Sequence, residues 1–163
     1  MSILLSKAKN IKLVATDIDG VWTDARMYVT TEGDWMKAFS TYDGMAIHML
    51  KKKGIIVAIL TSEDTGIVLA RAKKLNIEEV YVNEHKKLKR LIYLSKKYNI
   101  TMDEIAYIGD DINDLETLKA VGLSALSINS PIIDMIKPDY VTTRKGGHGA
   151  FREFSDLILN AQK

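Results

Sequence analysis

The chain has 163 residues, of which 47% are hydrophobic and 27% charged, and its formal net charge is +2. That length suits a single domain, residues 1–163, able to bury roughly two thirds of its unfolded surface, and so small a positive charge excludes an electrostatic case for nucleic acid as a partner. Cysteine is absent, which excludes a disulfide framework, thiolate catalysis and a cysteine zinc site, and fits a reducing cytoplasm. No run approaches the ~20 apolar residues of a membrane span, and the N-terminus lacks the apolar core of a signal peptide.

Residues 1–10 read as a short lead-in. Ile11 to Thr16 is apolar on both faces, as a central parallel strand should be. From Arg26 to Thr41, two β-prone runs flank Thr31-Glu32-Gly33-Asp34, the pattern of a projecting hairpin. Asp43 to Lys53 is predicted helical, with Gly54 as its stop. Strand Ile55–Leu60, helix Asp64–Leu75, strand Val80–Val82 and helix His85–Tyr98 follow. Thr101 and Glu104 have capping-box spacing ahead of strand Ile105–Ile108. Leu115–Val121 is predicted helical and Leu123–Ile128 a strand; Pro131 is placed in the first turn of a short helix. Tyr140–Thr142 is the last strand, and helix Ala150–Ala161 closes the chain. This alternation predicts an α/β fold, a doubly wound, Rossmann-like parallel sheet with helices on both faces.

The first strand stops at Asp17-Ile18-Asp19-Gly20. Period two puts both carboxylates on one side. Two carboxylates that close repel unless one is protonated or a cation lies between them, and hard oxygen donors suit Mg²⁺. An Asp-x-Asp pair alone is weak evidence. Ligands in such sheets, however, bind beyond the carboxyl ends of the strands, and Thr61 and Asp110 with Asp114 stand at the ends of two further strands. Three separate elements thus aim polar groups at one crevice.

The set Asp17-Ile18-Asp19-Gly20-Val21-Trp22-Thr23-Asp24, Thr61, Lys87-Leu88 and Gly109-Asp110-Asp111-Ile112-Asn113-Asp114, in that order and spacing, resembles the haloacid dehalogenase superfamily of aspartate-nucleophile phosphatases. More narrowly it resembles the branch without a cap domain that acts on 8- or 9-phosphates of 2-keto-3-deoxy sugar acids. The stretch Arg144-Lys145-Gly146-Gly147-His148-Gly149-Ala150-Phe151-Arg152-Glu153 is similar to that branch's glycine-rich tail. The resemblance implies Asp17 as nucleophile, forming an aspartyl-phosphate, and Asp19 as the acid and then base. It implies a Mg²⁺ held by Asp17, the backbone carbonyl of Asp19, and Asp110, with Asp111 and Asp114 orienting the metal's surroundings. Thr61 would donate to a phosphate oxygen, with Ser62 beside it, and Lys87 would supply fixed positive charge; Lys86 is adjacent and easily miscounted for it. The bland alternative for Asp111 and Asp114 is helix capping.

Within the branch, Trp22 and the trio Glu63, Arg71 and Lys74 resemble the nine-carbon type, so a 9-phosphate is expected, with the eight-carbon 8-phosphate as alternative. Arg71 and Lys74 share a helix face and would meet the substrate carboxylate, while Glu63 accepts sugar hydroxyls. The branch is tetrameric, which implies a homotetramer joined through the hairpin with sites at subunit interfaces, and Gly146-Gly147-His148-Gly149 as a flexible closing element. Two rivals belong to other classes. A phospho-accepting receiver needs no Asp17/Asp19 pair together with a distal Asp110, and a non-catalytic assembly module would release no phosphate.

Overall fold

The computed structural model describes residues 3–163. Six parallel strands form one sheet in the order β5-β4-β1-β6-β7-β8. The strands are β1 (Leu13–Thr16), β4 (Ile56–Leu60), β5 (Glu79–Tyr81), β6 (Ile105–Gly109), β7 (Leu123–Leu126) and β8 (Tyr140–Val141). β1 sits at the centre, with Ala15 between Ala58 and Tyr107. All its residues are buried, so both faces must be covered. On one face Val14, Ile59 and Ile108 meet helices α2 (Thr41–Lys52), α3 (Gly66–Lys74) and α6 (Ala150–Ala161) through Ile47, Val68 and Phe154. On the other, Leu13, Leu60 and Tyr107 meet α4 (Lys87–Tyr98) and α5 (Leu115–Ala120) through Leu91, Leu94 and Leu118.

The predicted hairpin is present as β2 (Tyr28–Thr30) and β3 (Gly33–Met36), a separate antiparallel pair. Every residue in both strands is exposed, because the hairpin rests on no face of the main sheet.

The first and the Pro131 segments differ from the sequence expectation. The lead-in is helix α1 (Ile3–Lys9), which buries Ala8 and packs Leu4 into the core that also holds Phe154 and Ile158 of α6. A single turn of apolar residues was too short a signal to read as periodic. Pro131 starts no helix; residues 131–135 form successive turns, and Ile132 is anchored singly in the core.

The glycine-rich tail, expected as a flexible closing element, is packed down on the Gly20 loop in this structure. The Gly147 amide donates to the Val21 carbonyl at 3.1 Å and the Gly146 amide to Asn129 at 2.7 Å. A Cβ on Gly146 would lie 2.0 Å from the Gly20 carbonyl oxygen, so only glycine allows the two loops to touch.

Candidate active site

Each element delivers its polar group at the carboxyl end of a strand. Asp17 follows β1 and is buried; its Oδ1 accepts from the Ile18 amide at 2.7 Å, and its Oδ2 lies 2.8 Å from Lys87 Nζ. Asp110 follows β6, and the Gly20 loop passes so close that a Cβ there would sit 1.8 Å from Asp110 Oδ2. Gly20, at φ +81°, is therefore required for both its turn and its missing side chain.

Asp114 is wholly buried and spends both oxygens. Oδ1 accepts from Lys87 Nζ at 2.7 Å and Tyr107 Oη at 2.6 Å, and Oδ2 from the Asp110 amide at 2.9 Å. Asp111 is exposed, and its carboxylate caps the turn Ile112–Asp114, with Asp114 closing the capping box. Capping therefore describes Asp111 fully and Asp114 in part.

Lys87 is the first residue of α4, its side chain 1% exposed, while neighbouring Lys86 is exposed. A cation there opposes the helix dipole, and no side chain caps the helix. The ammonium is kept in an unfavourable place by two carboxylates. Burial would lower the Lys87 pKa, but Asp17 and Asp114 outweigh it and raise it above the ordinary value.

Three carboxylates against one ammonium leave two negative charges unmatched. Burial first, then repulsion from Asp114, pushes Asp17 up to about 7, against the opposing pull of Lys87. Burial, followed by Asp17, Asp114 and Asp111, pushes Asp110 up to about 8. A divalent cation would supply the missing charge. One oxygen each from Asp17, Asp110 and Asp114 lies within 4.8 Å of the others, a spacing suited to a small cation with oxygen ligands. Since Asp114 is already saturated, Asp17 and Asp110 are the groups fitted to direct ligation.

Asp19 stands outside this group. Lys37 Nζ lies 2.7 Å from each of its oxygens, and Thr23 Oγ1 donates at 3.1 Å. A cleft of about 200 Å³ opens above, lined by Asp17, Asp19, Thr61, Ser62, Glu63 and Asp110 among others. Thr61 is buried, and Ser62 accepts from Asn113 at 3.0 Å. Seven of the predicted residues, Asp111 included, thus line the cleft, and Asp114 and Lys87 are buried beside Asp17 and Asp110. Arg71 and Lys74 do not: Arg71 donates to the Ser40 carbonyl at 3.2 Å and lies over Phe39, and Lys74 is exposed. Trp22 is 1% exposed, bonded to Thr16 and packed on Phe151, so it is core rather than a substrate contact.

Two polar groups were missed. Lys37 reads as an ordinary hairpin lysine, and Tyr107 as a core filler on an apolar strand; only a lysine in a chain of apolar hairpin neighbours and a hydroxyl in a central strand hinted otherwise.

Residues 34–122 match the model of the haloacid dehalogenase-like hydrolases. The 3-deoxy-D-manno-octulosonate 8-phosphate phosphatase of Haemophilus influenzae is 39% identical over 96% of this chain and 87% of its own. The chain belongs to the haloacid dehalogenase-like hydrolases. It is a phosphoric monoester hydrolase of that type, in the branch without a cap domain. The same-named phosphatase of Moraxella catarrhalis, solved with magnesium, phosphate and KDO, superposes with a TM-score of 0.94 at 40% identity, covering 99% of this chain and 93% of that one. The Yersinia pestis phosphatase gives 0.95 at 37% identity, covering 99% and 87%. Magnesium is the family's metal, and the carboxylates above fit it. No helix among the described residues is long and apolar enough to cross a membrane.

Proposed function

We propose that residues 1–163 act as one phosphatase domain whose substrate is the 8-phosphate of 3-deoxy-D-manno-octulosonate. The observation that carries the phosphatase reading is the buried cluster of Asp17, Asp110 and Asp114, in which Lys87 pairs with Asp17 and Asp114, short of positive charge and beside a cleft of about 200 Å³. Asp17 attacks phosphorus as the sugar oxygen leaves, and water then hydrolyses the aspartyl-phosphate, dividing one hard displacement into two. Asp19 gives a proton to the leaving oxygen and takes one from the water. Lys87 and the Thr61 hydroxyl face the charge that develops on the phosphoryl oxygens, with Ser62 beside them. Asp17, Asp110 and the Asp19 backbone carbonyl would hold Mg²⁺, which when bound would supply Lewis-acid charge. Asp111 and Asp114 fix the loop that carries Asp110.

The relatives' names support eight carbons, and the buried Trp22 removes one of the two hints of nine. Glu63 on the cleft rim is what favours a nine-carbon 9-phosphate as second substrate. Arg71 and Lys74 would reach a sugar carboxylate only from a neighbouring copy, which fits a homotetramer gathered by the exposed hairpin with Tyr28, Trp35 and Met36; such an edge pairs readily. The test is kcat/KM on both sugar acid phosphates with Mg²⁺, beside sedimentation equilibrium. Preference for the 8-phosphate and about four chains per particle are expected; no phosphate release from either sugar would leave only an assembly module.

A further inference from the structure

Lys37 immediately follows β3, in a hairpin whose neighbours Trp35 and Met36 are 67% and 44% exposed. Its own side chain is 1% exposed and runs inward to Asp19. A lysine on a projecting ribbon keeps most rotamer freedom by pointing into water, and hiding an ammonium costs several kcal/mol unless a carboxylate compensates it. Exposed ion pairs stabilise little, so simple surface pairing gives no reason to draw this ammonium inward. What the burial does accomplish is visible at Asp19. Both its oxygens are held by one ammonium, and Thr23 adds a third contact on Oδ1. The carboxylate has one direction, apart from the group formed by Asp17, Asp110 and Asp114, yet on the wall of the same cleft. Without that hold, it would be a fourth acidic group free to turn toward the same cation.

We propose that Lys37 is a positioning residue for phosphoryl transfer, fixing the Asp19 carboxylate where proton exchange takes place and keeping it out of the metal's ligand set. The inference rests on the reading of Asp19 as proton carrier. It also gives the hairpin a chemical task, because the ribbon that projects from the fold holds the ammonium that orients the acid.

The experiment compares the parent with K37M, K37R, D19N and the K37M/D19N double variant, using p-nitrophenyl phosphate and Mg²⁺, with thermal midpoint and sedimentation recorded for each. A misplaced proton carrier costs on the order of 10²-fold in kcat, so K37M should lose about that much with KM changed by less than ~2-fold. K37R should recover most of the loss. The double variant should be no slower than D19N alone, because a residue acting only through its partner shows non-additivity. Lys37 loses the role if K37M keeps the parent kcat, or if its loss adds fully to that of D19N, as a fold or assembly defect would. If D19N itself matches the parent, the reading of Asp19 falls, and the role of Lys37 falls with it.

Discussion

Among the described residues, two buried carboxylates are each bound by a lysine and by tyrosine hydroxyls, one tyrosine at Asp114 and two at Glu79. Asp114 takes Lys87 and Tyr107 at the carboxyl end of the sheet. Glu79, 4% exposed on edge strand β5, takes Lys97, Tyr81 and Tyr98. The hollow beside Glu79 is the larger, about 260 Å³ against about 200 Å³ for the cleft beside Asp17 and Asp110. What differs is charge balance. Burial would raise the Glu79 pKa, but the hydrogen bonds from Lys97, Tyr81 and Tyr98 outweigh it and the value is lowered. Around Asp114, two more carboxylates share one lysine, and Asp17 and Asp110 are pushed up instead. A polar cluster that balances its own charge stabilises the fold; one left short of positive charge waits for a ligand.

Breaking the unbalanced cluster has the largest effect. D17N is expected to lower kcat by roughly 10⁴-fold or more and to abolish the hydroxylamine-sensitive label that a radioactive phosphate ester leaves on the acid-quenched protein. The same variant should raise the metal-free thermal midpoint, because it removes one of the crowded charges. A lower midpoint would mean that the acidic cluster stabilises the fold, as Glu79 does.

Metal removal comes next. EDTA should abolish turnover, and restoring Mg²⁺ at about 100 times its dissociation constant should stabilise the protein by about 2.7 kcal/mol, read as a calorimetric shift. The pH dependence has a definite sign. Asp17 and Asp110 rise from an ordinary 3.8 to about 7 and about 8 in the fold, so between these values the native state binds more protons than the unfolded one. Stability of the metal-free protein therefore falls as pH climbs from about 4 to about 8, and Mg²⁺ should flatten the slope. A rising stability across that window would contradict the charge imbalance.

Glu79→Leu should do the reverse of D17N. Leaving the two tyrosine hydroxyls without their acceptor costs about 1–3 kcal/mol, measured by urea denaturation, with kcat/KM unchanged. The smallest effect belongs to Tyr107→Phe, which removes one donor from Asp114. About 1 kcal/mol, or roughly 5-fold in kcat, with KM constant, is expected from steady-state kinetics.

Much of this was legible from strand ends. Asp17, Thr61 and Asp110 each follow an apolar run, so the parallel-sheet rule placed them together before any coordinates. Helix α6 was marked by its apolar period from Phe151 to Ile158, and the hairpin by its two β-prone runs around Gly33. The balanced cluster was hidden because Glu79 and Tyr98 are 19 residues apart and meet only once α4 has packed. Lys37 was hidden for a related reason: it lies 18 positions from Asp19, and the hairpin's path decides whether its stem turns outward or in. Arg71 and Lys74 were legible as a pair on a helix face, but no period states what that face will meet.

The packing of Gly146 on the Gly20 loop carries a consequence for how the protein is made. Asp17 directly follows β1, the earliest strand of the sheet in chain order. Its loop, however, is backed by the Ser127 hydroxyl on the Gly20 carbonyl at 2.9 Å and by the Gly147 amide on Val21, contacts separated from it by more than a hundred residues of chain. A nascent chain therefore carries Asp17 long before it carries the brace that shapes its loop, and that loop is complete only when the glycine tail has emerged and docked.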